Sequence, residues 1–277
     1  KMVDESVVVL GLPASGKTTY LAALWYSLTS LKVQSKYTLV KLLAGNGEYL
    51  TSIAARWASA QRQERTQQES GRTVSISLRG QGRPDFTLSF PDLAGETFAR
   101  MWENREISPS AVDLVKAKGV LLFIHSDTIR HPGWIADDEE AGMPPEGDAP
   151  RPWAPRSSPT QVQLIDLLRC LNEAPLAVGP RQVAVILSAW DTMEEEGITP
   201  EDFLEVNLPM LHQYIHHGLA EGWSFRVYGV SAQGADYGDD ASAQRMLELD
   251  VPADRIRVIG DGNSSNDLTE PLHWLLT

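Results

Sequence analysis

Eight consecutive residues, Gly11-Leu12-Pro13-Ala14-Ser15-Gly16-Lys17-Thr18, carry the spacing G-x-x-x-x-G-K-[ST]. Each residue type has a chemical use there. Gly11 and Gly16 permit backbone angles that aim successive N–H groups at one phosphate. A helix starting at this point adds the partial positive charge of its N-terminus. The Lys17 ammonium reaches β- and γ-phosphates, and the Thr18 hydroxyl is a ligand for Mg²⁺. Ala14, Ser15 and Thr19 complete the loop and its first helical turn. Further acids follow apolar runs at other places: Asp92 and Glu96 around Gly95 in PDLAGE, and Asp191 in SAWD. Ser231-Ala232-Gln233 closes another such run.

These groups need elements to hold them in one place. Ser6 to Leu10 (SVVVL) reads as a strand, and Leu21, Leu24, Leu28 and Leu31 space a helix over 18–31. Strand, loop and helix stand in the order a phosphate-binding loop requires. A second helix is expected over 47–62, with Leu50, Ile53, Ala54 and Trp57 on one face. Thr73–Leu78 and Phe86–Phe90 alternate as half-buried strands, joined as an antiparallel hairpin. Residues 97–118 read as largely helical, broken at Pro109. Gly119–Ser126 and Val183–Leu187 are continuous apolar runs, as strands buried on both faces are. Thr160–Leu171 is an amphipathic helix, and Pro200–Leu219 a helix split at Pro209. Phe225–Val230 reads as a strand, 234–262 as irregular with a short helix near Ala241–Leu249. Asp267-Leu268-Thr269-Glu270 resembles a capping box opening a last helix through Trp274 and Leu276. Strands alternate with helices almost throughout. The expectation is a three-layer α/β fold of the P-loop NTPase kind, its sheet mainly parallel with one antiparallel hairpin strand.

The bulk numbers narrow the partners. The chain has 277 residues, 42% hydrophobic and 22% charged, and reads as one domain over 1–277. Its formal net charge of −13 argues against non-specific binding to nucleic acid or anionic lipid. One cysteine, Cys170, cannot make an internal disulfide, which fits a reducing, cytoplasmic compartment. It lies among Leu167, Leu168 and Leu171 and reads as a core thiol. No run is apolar enough for membrane insertion, and none reads as a signal peptide. Residues 131–159 are Pro-rich, acidic and without period, an exposed insertion with Trp134 and Trp153 as anchors or partner contacts.

The order of the motifs resembles the Ras-like, translation-factor-related class of P-loop GTPases, over nearly the whole chain apart from insertions. The resemblance implies GTP and GDP as ligands, Mg²⁺ as cofactor, and a protein effector or GTPase-activating partner. It implies that Asp92 holds Mg²⁺ through water and that the Gly95 amide senses the γ-phosphate; the bland role for Asp92 is a helix cap. It implies that Asp191 accepts two hydrogen bonds from guanine N1 and N2, which adenine cannot supply. Ser188 and Ala189 stand where that motif, [NT]-K-x-D, has Asn and Lys. Trp190 is then either an apolar cover for the base or a core side chain. Ser231-Ala232-Gln233 resembles the family's S-A-[KL] loop, whose Ala amide contacts guanine O6. The mobile threonine that closes on Mg²⁺ and γ-phosphate falls on Thr66; Thr73 begins a strand. Glu96 stands where the family carries its catalytic Gln, and Pro13 and Ala14 depart from its usual loop. The long stretch from Lys17 to Asp92, holding the helix at 47–62, is similar to that of the bacterial paired-GTPase (double-GTPase) families.

Three functions compete on this reading. The first is a GTP-hydrolysing switch, with Lys17, Thr66, Gly95 and Glu96 around the reacting phosphate. The second is a P-loop kinase or ATPase, which needs a basic lid. Residues 128–160 hold only Arg130, Arg151 and Arg156 among many acids, against that reading. The third is a nucleotide-binding interaction module with little hydrolysis, suggested by the missing Gln.

Overall fold

A computed structural model describes residues 5–30, 33–62, 73–91, 95–133, 154–193 and 197–277. Thr66, Asp92 and most of the 131–159 insertion lie outside the described residues.

The strands are β1 (Ser6–Gly11), β2 (Tyr37–Ala44), β3 (Val74–Gly80), β4 (Phe86–Phe90), β5 (Gly119–His125), β6 (Gln182–Ser188), β7 (Ser224–Ser231), β8 (Arg257–Gly260) and β9 (Asn263–Ser265). The helices are α1 (Lys17–Thr29), α2 (Gly47–Ala58), α3 (Glu96–Asn104), α4 (Pro109–Val115), α5 (Thr160–Leu171), α6 (Pro200–Asn207), α7 (Pro209–His217), α8 (Asp240–Leu247) and α9 (Glu270–Leu275). All the strands join one sheet in the order β2-β3-β4-β1-β5-β6-β7-β8-β9. From β4 to β7 every pairing is parallel.

The alternation of β1 builds the layers. Val7 and Val9 point into one core with Tyr20, Leu21 and Leu24 of α1, Leu50 and Trp57 of α2, and Leu272 of α9. Val8 and Leu10 point into the opposite core with Phe98 of α3, Leu164 of α5, Phe203 of α6 and Leu211 of α7. Helices therefore cover both faces of the parallel centre, the arrangement its apolar strands demand. Each fully buried Val or Leu contributes about 1.5–3 kcal/mol of transfer free energy.

The edges differ from expectation. Antiparallel pairing appears on both sides, β2–β3–β4 on one and β7–β8–β9 on the other. The sequence pattern predicts neither β2 nor the β8–β9 hairpin, which lies inside and beyond the stretch that reads as irregular. Helix α2 stops at Ala58 rather than 62, and residues 97–118 form two helices separated before Pro109. At the last helix, no side chain of Thr269 caps α9; the Asp267 carboxylate instead accepts from the Thr269 N–H and hydroxyl. Cys170 is half-buried at the edge of the second core, its thiol held above the ordinary range by burial. Among the described residues, no helix is long and apolar enough to cross a membrane.

Candidate nucleotide-binding site

The C-terminal ends of β1, β5, β6 and β7 converge, and the motifs sit on them. This is where open parallel sheets place ligands. The loop after β1 turns through Ala14 at φ 60° and Gly16 at φ 89°, both left-handed. Gly16 is the N-cap of α1, and no side chain caps that helix. A Cβ on Gly16 would stand 2.7 Å from Ser188 Oγ; one on Gly11 would stand 2.7 Å from the Phe123 carbonyl oxygen. Glycine is thus required at both positions by the walls as well as by the turn. Lys17 is 2% exposed and its Nζ donates to the Gly11 and Leu12 carbonyls at 2.8 Å and to Ser15 Oγ at 3.1 Å. The ammonium is held inside the mouth of the loop, where a phosphate oxygen can accept from it. Thr18 and Thr19 follow in the first turn of α1, both partly exposed.

The other end of the site is built by β6 and β7. After β6 the backbone enters left-handed geometry at Ala189, φ 55°, and makes a 3-10 turn over Trp190–Thr192. Asp191 Oδ1 accepts from Ser231 Oγ at 2.6 Å, and Ser231 Oγ in turn accepts from the Gly234 N–H at 3.0 Å. This pair orients the carboxylate. A cleft of about 350 Å³ runs from Gly16 and Thr19 to Asp191 and Ala232, with His125 and Ser188 on its wall. Arg62 and Asp236 pair across its rim at 2.9 Å, an exposed contact of little energy. Burial holds the His125 imidazole below its ordinary pKa, against the opposing pull of Asp127 and Asp191.

Trp190 does not line the cleft. It is 1% exposed, packs edge-on against Phe203 at 5.5 Å, and lies so close to Gly229 that a Cβ there would be 2.4 Å from its ring. The left-handed residue before it rotates the indole into the apolar core, where its area is better buried than over a base. Trp190 is a core side chain and not a cover for a base. Ala189, which stands for the family's Lys, lines the cleft instead.

Gly95 reaches the phosphate loop. At φ 80° it starts α3, and a Cβ on it would meet Pro13 N at 2.7 Å, Leu12 C at 2.8 Å and Gly11 O at 3.0 Å. Glu96 is exposed at the first position of that helix. Lys17, Gly95, Asp191, Ser231 and Ala232 are therefore brought to one region; Thr66 and Asp92 lie outside the described residues.

Three residues support the site in ways the sequence reading does not assign. Ser188 Oγ donates to the Ser15 carbonyl at 3.0 Å, tying β6 to the phosphate loop. Ser126 Oγ donates to the Ser188 carbonyl at 2.8 Å and braces that strand end. Trp57 Nε1 donates to the Ala232 carbonyl at 2.8 Å from within α2, so the inserted helix anchors the loop after β7. Ser188 carries a signal as the residue at the motif's Asn position, and Trp57 one as the large residue on the apolar face of its helix; Ser126 carries none. Trp57→Phe leaves the Ala232 carbonyl without its donor, an expected cost of about 1–3 kcal/mol in stability. GDP affinity should fall severalfold as the loop loosens. Thermal unfolding with GDP titration checks this; unchanged affinity at lowered stability would deny Trp57 any part in binding.

No curated protein sequence matches the chain. Among solved structures, the S. cerevisiae Ski7 GTPase-like domain, bound to GTP, aligns with TM-score 0.44 and 14% identity over 84% of this chain. The chain spans 44% of that structure's length. A nucleolar GTP-binding protein 1 from Plasmodium falciparum aligns with TM-score 0.40 and 10% identity, covering 90% of this chain and 88% of its own. The signal recognition particle receptor SRb-GTP/SRX complex of Chaetomium thermophilum aligns with TM-score 0.40 and 14% identity, covering 90% and 99%. The model of one protein family, described as Double-GTPase 1, matches residues 8–275, and the chain belongs to that family.

Proposed function

We propose that the chain binds GDP and GTP with Mg²⁺, hydrolyses GTP slowly, and reports the bound state to a protein partner. The carrying observation is the cleft that joins the lysine-bearing loop to the Asp191–Ser231 pair. Gly16 and Thr19, on either side of Lys17 in sequence, line one end of that cavity and the Asp191 carboxylate the other.

The residues present fit a phosphate and its metal. The loop around Gly11 and Gly16 is a cradle that side chains would fill, and Thr18 stands in the first turn beyond it. Thr18, with Asp92, would hold Mg²⁺, which when bound supplies neutralising charge to the phosphates. Lys17 binds the phosphate oxygens, and Gly95 offers its amide beside the loop. Hydrolysis joins a water oxygen to the γ-phosphorus as the bond from that phosphorus to the bridging oxygen breaks, leaving GDP and inorganic phosphate. Glu96 can accept a hydrogen bond from the water. It cannot donate one to the phosphoryl oxygens, and its charge opposes theirs at close range. Slow turnover follows from that departure. The 131–159 insertion is the segment we assign to partner docking.

Single-turnover GTP hydrolysis tests this reading. We expect slow conversion to GDP, several times slower still in Glu96→Ala, at equal GTP occupancy. Rates unchanged from the unmodified chain in both Glu96→Ala and Glu96→Gln, at matched GTP occupancy, would remove Glu96 from the mechanism. No conversion at all would favour a binding module without hydrolysis, and equal ADP and GDP affinity would overturn the guanine assignment.

A further inference from the structure

The helices behind the base-reading turn carry a cluster that the nucleotide chemistry does not use. Helix α6 opens at Pro200 behind the cap Thr199, and Glu201 stands in its first turn. Leu208 bends the chain, and α7 runs back with His212 and His216 four residues apart. That spacing puts both imidazoles on one helix face, their ring centres 4.3 Å apart. Glu201 Oε1 lies 2.9 Å from His216 Nε2 and 3.5 Å from His212 Nε2. One nitrogen from each ring and one carboxylate oxygen all lie within 4.8 Å of one another.

We infer that Glu201, His212 and His216 form a site for a divalent transition-metal ion of the Zn²⁺ type. Zinc bonds to imidazole and carboxylate are about 2.0–2.2 Å, so neighbouring ligand atoms in a tetrahedron stand roughly 3.3 Å apart. The two separations from Glu201 bracket that value. Two histidines at i, i+4 joined by a carboxylate from another element is a donor set that suits zinc. Two imidazoles and a single carboxylate do not suit Mg²⁺ or Ca²⁺, which take oxygen ligands. The site is therefore distinct in chemistry from the Mg²⁺ site of the phosphate loop. Phe225 packs edge-on against His216 at 4.7 Å and fixes the ring plane. His216 is exposed, which leaves a fourth position to water or to a ligand brought by another molecule. A bound ion would staple the start of α6 to the body of α7. The plain alternative is an ion pair between Glu201 and protonated histidine, with no affinity for metal.

The test is a calorimetric titration of the untagged full chain with Zn²⁺ at excess Mg²⁺. We expect one ion per chain. His212→Ala and His216→Ala should each weaken binding about tenfold or more, and Glu201→Gln severalfold. Zn²⁺ should raise the thermal midpoint of the unmodified chain but not of the His212→Ala/His216→Ala double variant. Co²⁺ in place of Zn²⁺ should give visible absorption of a four-coordinate ion, lost in the same variant. Circular dichroism confirms that the surface substitutions leave the fold unchanged, and His216→Gln serves if an alanine variant does not fold. No binding, or equal affinity in the double variant, would overturn the site.

Discussion

Lys17→Ala abolishes tight nucleotide binding and leaves the fold intact. Lys17 Nζ bonds two loop carbonyls and Ser15 Oγ from a site 2% exposed, so its cation is positioned before any ligand arrives. Hydrogen bonds from a charged donor to a charged acceptor are worth roughly 1.5–3 kcal/mol each. A lysine reaching two phosphate oxygens therefore contributes about 3 kcal/mol or more, over a hundredfold in Kd. The fold loses little. Leu12 is half-buried and Pro13 and Ala14 are exposed, so water can reach the Leu12 carbonyl; the buried Gly11 carbonyl and Ser15 hydroxyl are the groups that lose a partner. Calorimetric titration with GDP, beside circular dichroism of the variant, measures both halves. GDP affinity unchanged in a folded Lys17→Ala would end the phosphate-loop assignment.

Asp191→Asn should cost GDP about 1–3 kcal/mol and leave ADP unaffected. The carboxylate can accept from the two guanine donors, N1–H and the exocyclic amine, while Ser231 holds it by one oxygen. An amide keeps the shape but loses the charge and offers a donor where guanine also presents one. The GDP-to-ADP preference should shrink roughly 5–150-fold, the same free energy expressed as a ratio. Ser231→Ala is the milder companion, removing only the group that orients Asp191, with about 1 kcal/mol expected. Competition binding of GDP against ADP in the three proteins decides. An unchanged preference in Asp191→Asn would move base recognition elsewhere in the cleft.

The central strands and the phosphate loop were legible because they are local. Ser6–Leu10 is apolar without interruption, and the eight residues after it have fixed spacing with a single geometric solution. The hairpin and the helix at Thr160–Leu171 were legible for the same reason. Strand β2 was not. It is an edge strand with one neighbour, half-exposed, and its pairing with β3 slips between Leu39 and Lys41 and again between Leu42 and Ala44. Each irregularity breaks the period of two that marks a strand. The β8–β9 hairpin did carry a signal, Asp261-Gly262 at φ 52° and 72°, a two-residue turn between short strands. Its strands are too short for alternation to register. Trp190 failed differently: a side chain's direction after a left-handed residue is a property of the turn, which no periodicity encodes. The tie of Ser188 to Ser15 joins residues 173 apart in sequence, and only the sheet order brings them together.

That tie has an entropic side. Ser188 closes β6, next to the turn that presents Asp191, and its hydroxyl holds the backbone of the phosphate loop. The two ends of the cleft therefore share one frame and cannot wander independently. A molecule that touches only one end meets that end already set by the other. A ligand long enough to span both gains the second contact at high effective concentration, because the distance between the ends is not renegotiated on binding. Ordering costs then fall on the loops around the frame rather than on the frame itself.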